Sequence, residues 1–148
     1  MNPIKMKGDK KGFTIIELIV VIAIIAVLAA IVLVNVTQYI NKGKDASIQG
    51  NLAGVMINAA QYYDSDATNK GSYTSLCSNP VVAAAMTAID GTRGDTGKSK
   101  CNASATEYAA CGQLKSDSTH AYCVDSTGAK KTITNTVCVT AWAATVCP

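Results

Sequence analysis

The 148-residue chain is poor in the residues from which active sites are usually built. It contains one histidine, His120, and aromatic residues make up only 5% of it. It also lacks the G-x-S-x-G turn of serine hydrolases, a glycine-rich phosphate loop and any histidine–cysteine spacing typical of a metal centre. We therefore expect a protein that is not an enzyme and that carries no cofactor or metal.

Charged residues are scarce as well, at 16% of the chain. The formal net charge of +3 comes from the first eleven residues, which contain four lysines and a single acid, Asp9. The rest of the chain balances at nine basic and nine acidic residues. Nucleic-acid-binding domains instead show a strongly basic patch or stripe. Nucleic acid is therefore not an expected partner.

Prolines are absent between residues 13 and 79, and residues 13–34 are almost entirely apolar. A helix of about twenty apolar residues spans the roughly 30 Å hydrocarbon layer of a bilayer. The lysines that precede this run favour a cytoplasmic amino terminus and a carboxyl terminus on the other side. One acid, Glu17, interrupts the run. Because an unpaired carboxylate in a membrane helix costs on the order of 2–3 kcal/mol or more, we expect Glu17 to have a function.

The segment around this acid, Lys11-Gly12-Phe13-Thr14-Ile15-Ile16-Glu17, resembles the processing site of type IV prepilins and type II secretion pseudopilins. In that family a short basic leader ends in glycine, and phenylalanine, a glutamate four residues on and an apolar helix follow. The resemblance implies that a prepilin peptidase cuts between Gly12 and Phe13 and methylates the new amine of Phe13. The new ammonium is also the natural partner for the Glu17 carboxylate of an adjacent subunit, because in a low-dielectric helix bundle the pair offsets the cost of burying both charges.

Two other interpretations of the same segment are weaker. A secretory signal peptide has a shorter apolar core, followed by a small-residue cleavage site, whereas here the apolar run leads directly into more helix-like sequence. A plain membrane anchor accounts for the length of the run. It does not account for Glu17, or for Gly12 immediately before Phe13.

The helical pattern continues beyond the apolar run. Ile48, Leu52, Val55 and Ala59 fall on one face of a helix that we predict to run from Phe13 to about Tyr63. The resemblance implies an α+β pilin fold, in which a small antiparallel sheet packs on the second half of this helix. The expected regions are a cleaved leader (1–12), a transmembrane and assembly half (13–35), an amphipathic half (36–63) and a disulfide-stapled extracytoplasmic domain (64–148).

Within the last region the sequence predicts a short helix, a loop and a three-stranded meander. Asn79 and Pro80 are typical of a helix start, and the predicted helix covers residues 81–89. The expected order after it is a surface loop (90–104), strands at 108–114, 121–124 and 130–137, and a tail (138–148) closed by its own disulfide.

Six cysteines follow the apolar run, and none of them forms a C-x-x-C pair. Wide spacings of this kind favour three disulfides in an oxidising compartment over a zinc site. Fifteen pairings are possible, and proximity along the chain favours Cys77–Cys101, Cys111–Cys123 and Cys138–Cys147.

The resemblance implies a structural protein with related subunits, a prepilin peptidase, an assembly platform and the membrane as its partners.

We favour the subunit of a type IV pilus, first held in the inner membrane by a single pass and then assembled at the surface. The alternative is a pseudopilin of a periplasmic type II secretion pseudopilus. Major pseudopilins usually carry a calcium-holding loop near the carboxyl end, where this chain has only Asp125 as an acid. A third class, a DNA-uptake or adhesin-type subunit, has little sequence support, because the chain after the leader is neutral and lacks a basic stripe with aromatic residues. The adhesion tripeptide Arg93-Gly94-Asp95 lies on an expected loop, but three-residue matches are common by chance.

Overall fold

The computed structural model describes residues 12–65, 70–139 and 143–148. Most of the expected leader, residues 1–11, lies outside the described residues. The elements are α1 (Ile15–Ser65), a 3-10 turn (Leu76–Ser78), α2 (Pro80–Arg93), β1 (Ser99–Ala103), β2 (Tyr108–Gln113), β3 (His120–Asp125), β4 (Lys130–Thr134) and α3 (Asn135–Val139). A long amino-terminal helix followed by a small antiparallel sheet confirms the expected α+β architecture.

The chain divides into two compact units, residues 1–37 and residues 38–148. In the first unit every described side chain from Phe13 to Leu33 is exposed. Its most apolar 18-residue window has a mean hydropathy of 3.3, and none of that window is buried. A helix that is apolar all round requires lipid or other apolar helices as its surroundings, and this one is long enough to cross a membrane.

In the second unit a core forms between the helices and one face of the sheet. Ile48, Leu52, Val55 and Ala59 of α1 are all completely buried, on the helix face that their spacing predicts. Gly112 of β2 lies under Ile48 and Leu52 of α1 and under Ile89 of α2. A Cβ atom at this position would come within 2.8 Å of the Ile89 side chain and 3.1 Å of the Ile48 side chain. The absence of a side chain here therefore lets both helices approach the sheet closely.

The sheet is an antiparallel meander of order β1-β2-β3-β4. Ala110 and Val124, which are partners in the register, belong to the core under α1. Their neighbours Cys111 and Cys123 are also partners, and they belong to a second core on the opposite face of the sheet, which we call the outer face. Because both faces are covered, β2 is buried at all six positions instead of alternating.

The described fold corrects two of the expected segments. The expected loop over 90–104 contains the end of α2 and the whole of β1, which pairs with β2. This strand lies at an edge of the sheet, and its lysine and polar residues give it the composition of a loop. The expected strand over 130–137 stops at Thr134, and α3 replaces its end.

The start of α2 was predicted more accurately. The Asn79 side chain accepts a hydrogen bond of 3.0 Å from the Val81 N–H, and Pro80 occupies the first turn. The helix then extends four residues past the expected end, to Arg93. It ends where Gly94 adopts a left-handed conformation with φ of 82°, which glycine tolerates without steric cost.

Three disulfides join the six cysteines, and only one pairing is the expected one. Cys77–Cys101 is present, whereas the remaining bonds are Cys111–Cys138 and Cys123–Cys147. The expected pairs Cys111–Cys123 and Cys138–Cys147 are therefore wrong. Both strand cysteines belong to the outer-face core, where the carboxyl-terminal segment also packs. The disulfides thus fasten this segment to the sheet instead of closing it on itself.

Candidate assembly site at the start of the long helix

Thr14 and Glu17 form a reciprocal cap at the start of α1. The Oε2 atom of Glu17 accepts hydrogen bonds of 2.8 Å from both the backbone N–H and the hydroxyl of Thr14. The Glu17 N–H in turn donates to the Thr14 hydroxyl oxygen at 3.3 Å. This arrangement is a capping box, which satisfies two of the N–H groups that a helix start leaves without a partner.

The cap gives the Glu17 carboxylate a favourable local position. It lies in the first turn of α1, where the exposed N–H groups and the helix dipole favour a negative charge. A carboxylate offers about four acceptor positions on its two oxygens, and Thr14 occupies two of them. Glu17 therefore retains the capacity to accept a cationic donor from another chain.

The residues before the cap are open to their surroundings. Gly12 is exposed, and 89% of the Phe13 surface is accessible. Ile15 and Ile16 beside the cap are exposed as well. The cap thus lies on an apolar, uncovered helix end next to the predicted cleavage position.

Residues 7–33 match the family model described as the prokaryotic N-terminal methylation motif. This is the signature of the type IV pilins and pseudopilins. The matched segment contains Gly12, Phe13, Thr14 and Glu17, and it ends at Leu33 within the apolar part of α1. No curated protein and no solved structure matches the chain significantly.

The sequence interpretation identified Gly12, Phe13 and Glu17 in this pilin-type segment but gave Thr14 no role. The signal was present, since Thr14-Ile15-Ile16-Glu17 has the T-x-x-E spacing of a capping box. The pairing of Glu17 with the Phe13 amine of another subunit concerns contacts between chains, and it stays a prediction.

A second arrangement of polar contacts fastens the tail, residues 143–148. The Asp125 carboxylate, at the end of β3, is only 1% exposed. It accepts hydrogen bonds from the Thr127 hydroxyl at 2.6 Å, the Ala129 N–H at 3.2 Å and the Cys147 N–H at 2.8 Å. Burial by itself would raise the pKa of Asp125, but these hydrogen bonds together hold the pKa below its ordinary value.

Further contacts hold the same tail beside β1 and β2. The Asn102 side chain donates to the Ala143 carbonyl at 2.9 Å, and the Thr145 hydroxyl donates to the Glu107 carboxylate at 2.7 Å. Together with Cys123–Cys147, these bonds make the tail part of the folded domain.

The structure gives the adhesion tripeptide a structural role. Arg93 is buried at the end of α2, where it donates to the Leu114 carbonyl and pairs with Asp95 at 3.1 Å. Its guanidinium group is therefore not presented on a surface loop.

His120 is exposed and lies 2.7 Å from Asp117. Hydrogen bonds from Thr119, with a further one from His120, lower the pKa of Asp117 to about 2.

Proposed function

We propose that this chain is the structural subunit of a type IV pilus that is inserted in the inner membrane and polymerises through α1. The observation that carries the proposal is the position of Glu17. It is the only acid in the apolar, exposed part of α1, and it lies within the matched signature. In a plain anchor this acid would do no more than cap the helix, whereas in a bundle of such helices its remaining acceptor positions also serve to bind a cation of another subunit.

In this proposal a prepilin peptidase cuts the chain after Gly12. Cleavage removes the four lysines of the leader and leaves a new amine on Phe13, one residue before the cap. Methylation of this amine adds one methyl group and retains the positive charge. The mature subunit thus begins with a cation beside the Thr14–Glu17 cap.

Assembly then pairs the Phe13 ammonium of one subunit with the Glu17 carboxylate of the next. In a low-dielectric bundle the attraction offsets the cost of burying both charges, whereas either charge alone is strongly unfavourable. An incoming subunit is therefore stable only in the register in which the two groups meet. Repetition of a head-to-tail contact that does not close produces a helical filament.

The alternative function is a pseudopilin of a type II secretion system. A pilus subunit and a major pseudopilin are expected to differ near the carboxyl end, where the resemblance leads us to expect a calcium-holding loop in the pseudopilin. Here the Asp125 oxygens are engaged by the Thr127 hydroxyl and by backbone N–H groups, and disulfides fasten the tail. This use of the acid supports the pilus.

The intact mass of protein sheared from the surface of expressing cells tests the proposal. We expect a mass that lacks residues 1–12, carries one added methyl group and gains six hydrogens on reduction. Recovery in the sheared fraction supports a pilus, and recovery only in the periplasm and inner membrane supports the pseudopilus. An uncut chain in cells with an active prepilin peptidase contradicts both functions.

A further inference from the structure

A polar cleft of about 310 Å³ opens between α1 and the turn that follows β2. Gln38, Asn41 and Lys42 line it from slightly more than one turn of α1, and Ser116 lines it from the other side. All four residues belong to the second unit. The cleft therefore presents one cationic side chain and two amide side chains to whatever enters it.

Asp45, one turn further along α1, fixes the wall of this cleft. Its buried carboxylate accepts hydrogen bonds from the backbone N–H groups of Lys115 and Ser116 and from the Ser116 hydroxyl. These bonds hold the turn after β2 against the helix. The cleft is thus a fixed feature of the second unit and not a gap beside a loose loop.

The charges around the cleft leave Lys42 available. Asp45 is the adjacent acid, and its oxygens are engaged by the turn. The ammonium group of Lys115 donates to the Arg93 carbonyl at 2.8 Å. Among the described residues, no ion pair involves the exposed Lys42. An ammonium group with two neighbouring amides supplies the donors that suit the oxygens of a phosphate group.

The position of the cleft along the chain indicates where that phosphate comes from. Gln38 follows Leu33, the last residue of the matched apolar segment, by five residues, or about 7 Å of helix. This distance matches the headgroup layer of a bilayer. Helical side chains tilt toward the amino end, so Lys42 reaches back in the same direction. Tyr39, which is 74% exposed, is typical of the residues that anchor a helix at this level.

We propose that the cleft binds the phosphate group of an anionic phospholipid and so sets the depth of the unassembled subunit in the membrane. The proposal rests on the membrane insertion included in the proposed function. Free inorganic phosphate has the same recognition chemistry. We commit to the lipid because Gln38, the first residue of the cleft, follows the apolar segment of α1 by about the depth of the headgroup layer.

The test uses the full chain in nanodiscs made from phosphatidylglycerol and phosphatidylcholine. Native mass spectrometry of the released protein measures the ratio of the two lipids that remain bound. We expect phosphatidylglycerol to be enriched, and Lys42→Gln to lower the enrichment about fivefold, the effect of one lysine at an anionic surface. Lys131→Gln removes an exposed lysine of β4 and is expected to leave the ratio unchanged.

The inference would be overturned if phosphatidylglycerol were not enriched on the unaltered chain, or if both variants lost the enrichment equally. It would also be overturned if inorganic phosphate occupied the cleft in phosphatidylcholine nanodiscs and displaced phosphatidylglycerol. Alkaline extraction of the source membranes confirms insertion separately. Normal insertion and filament formation without lipid enrichment would reject this inference and leave the proposed function standing.

Discussion

In the first unit, residues 1–37, every described side chain between Phe13 and Leu33 is exposed. In the second unit one face of α1 is fully buried, and its residues are Ile48, Leu52, Val55 and Ala59. The second unit also contains three disulfides and two cores. The first unit thus needs lipid or other apolar helices around it, whereas the second is held by contacts within the chain. Changes to the first should affect assembly, and changes to the second should affect folding.

Glu17→Ala should produce the largest effect and confine it to assembly. Removing one partner of a buried ion pair leaves the other uncompensated, which costs about 3–5 kcal/mol. We expect the yield of sheared filaments to fall roughly a hundredfold to several thousandfold, while cleavage, membrane insertion and thermal unfolding of the second unit stay unchanged. Asp64→Ala, which removes an exposed carboxylate from the other end of α1, is the matched control. Normal filaments from Glu17→Ala would sink the proposed pairing.

Removing the Cys123–Cys147 bond should instead destabilise the second unit and leave processing of the chain unchanged. The bond closes a separation of 24 residues, and loss of such a crosslink costs about 3.5 kcal/mol. The double variant Cys123→Ser with Cys147→Ser should therefore lower the free energy of unfolding by about that amount in denaturant titrations. Peptidase cleavage should remain normal. Unchanged stability would mean that the tail contributes little to the fold.

The contrast between the units also explains what the sequence could predict. Gly12, Phe13 and Glu17, the residues predicted for cleavage and assembly, all lie within residues 12–17, so their spacing is visible without knowledge of the fold. The buried face of α1 is equally local, because Ile48 and Leu52 are one helical turn apart. Each of these features needs only the geometry of a single helix.

The role of Thr14 was missed although its spacing is local, whereas the missed disulfides and tail contacts depend on residues far apart in the chain. Cys111 and Cys123 are close in sequence and are also partners in the sheet register, yet each bonds to the carboxyl-terminal segment. That outcome depends on which face of the sheet the segment covers. The role of Asp125 likewise depends on Cys147, 22 residues away. Local patterns carry no information about either contact.

Asp125→Asn tests whether the carboxylate, and not only the disulfide, holds the tail. The amide can still accept from Thr127 and Ala129, but it is expected to lose the charge-assisted bond to Cys147, at a cost of about 1.5–3 kcal/mol. Because the pKa of Asp125 is lowered in the folded chain, its stabilisation is fully present above about pH 4, the ordinary value. It is lost as the pH falls through the lowered pKa.

The measurement is the free energy of unfolding as a function of pH for both proteins. We expect the difference between them to be largest at neutral pH and to shrink below about pH 4. A difference that is constant over this range would show that the charge of Asp125 is not what matters. The first unit should be unaffected, so filament formation at neutral pH should fall only as far as the folded population falls.

Thr14→Ala should have the smallest effect, although it lies in the assembly site. Loss of a capping side chain costs about 1 kcal/mol, which corresponds to roughly a fivefold fall in filament yield. Glu17 keeps its charge in this variant, so pairing with the Phe13 ammonium remains possible. Thr14→Ser preserves the hydroxyl and should restore the yield. If Thr14→Ala were as severe as Glu17→Ala, the hydrogen bonds of the cap, and not the charge of Glu17, would determine assembly.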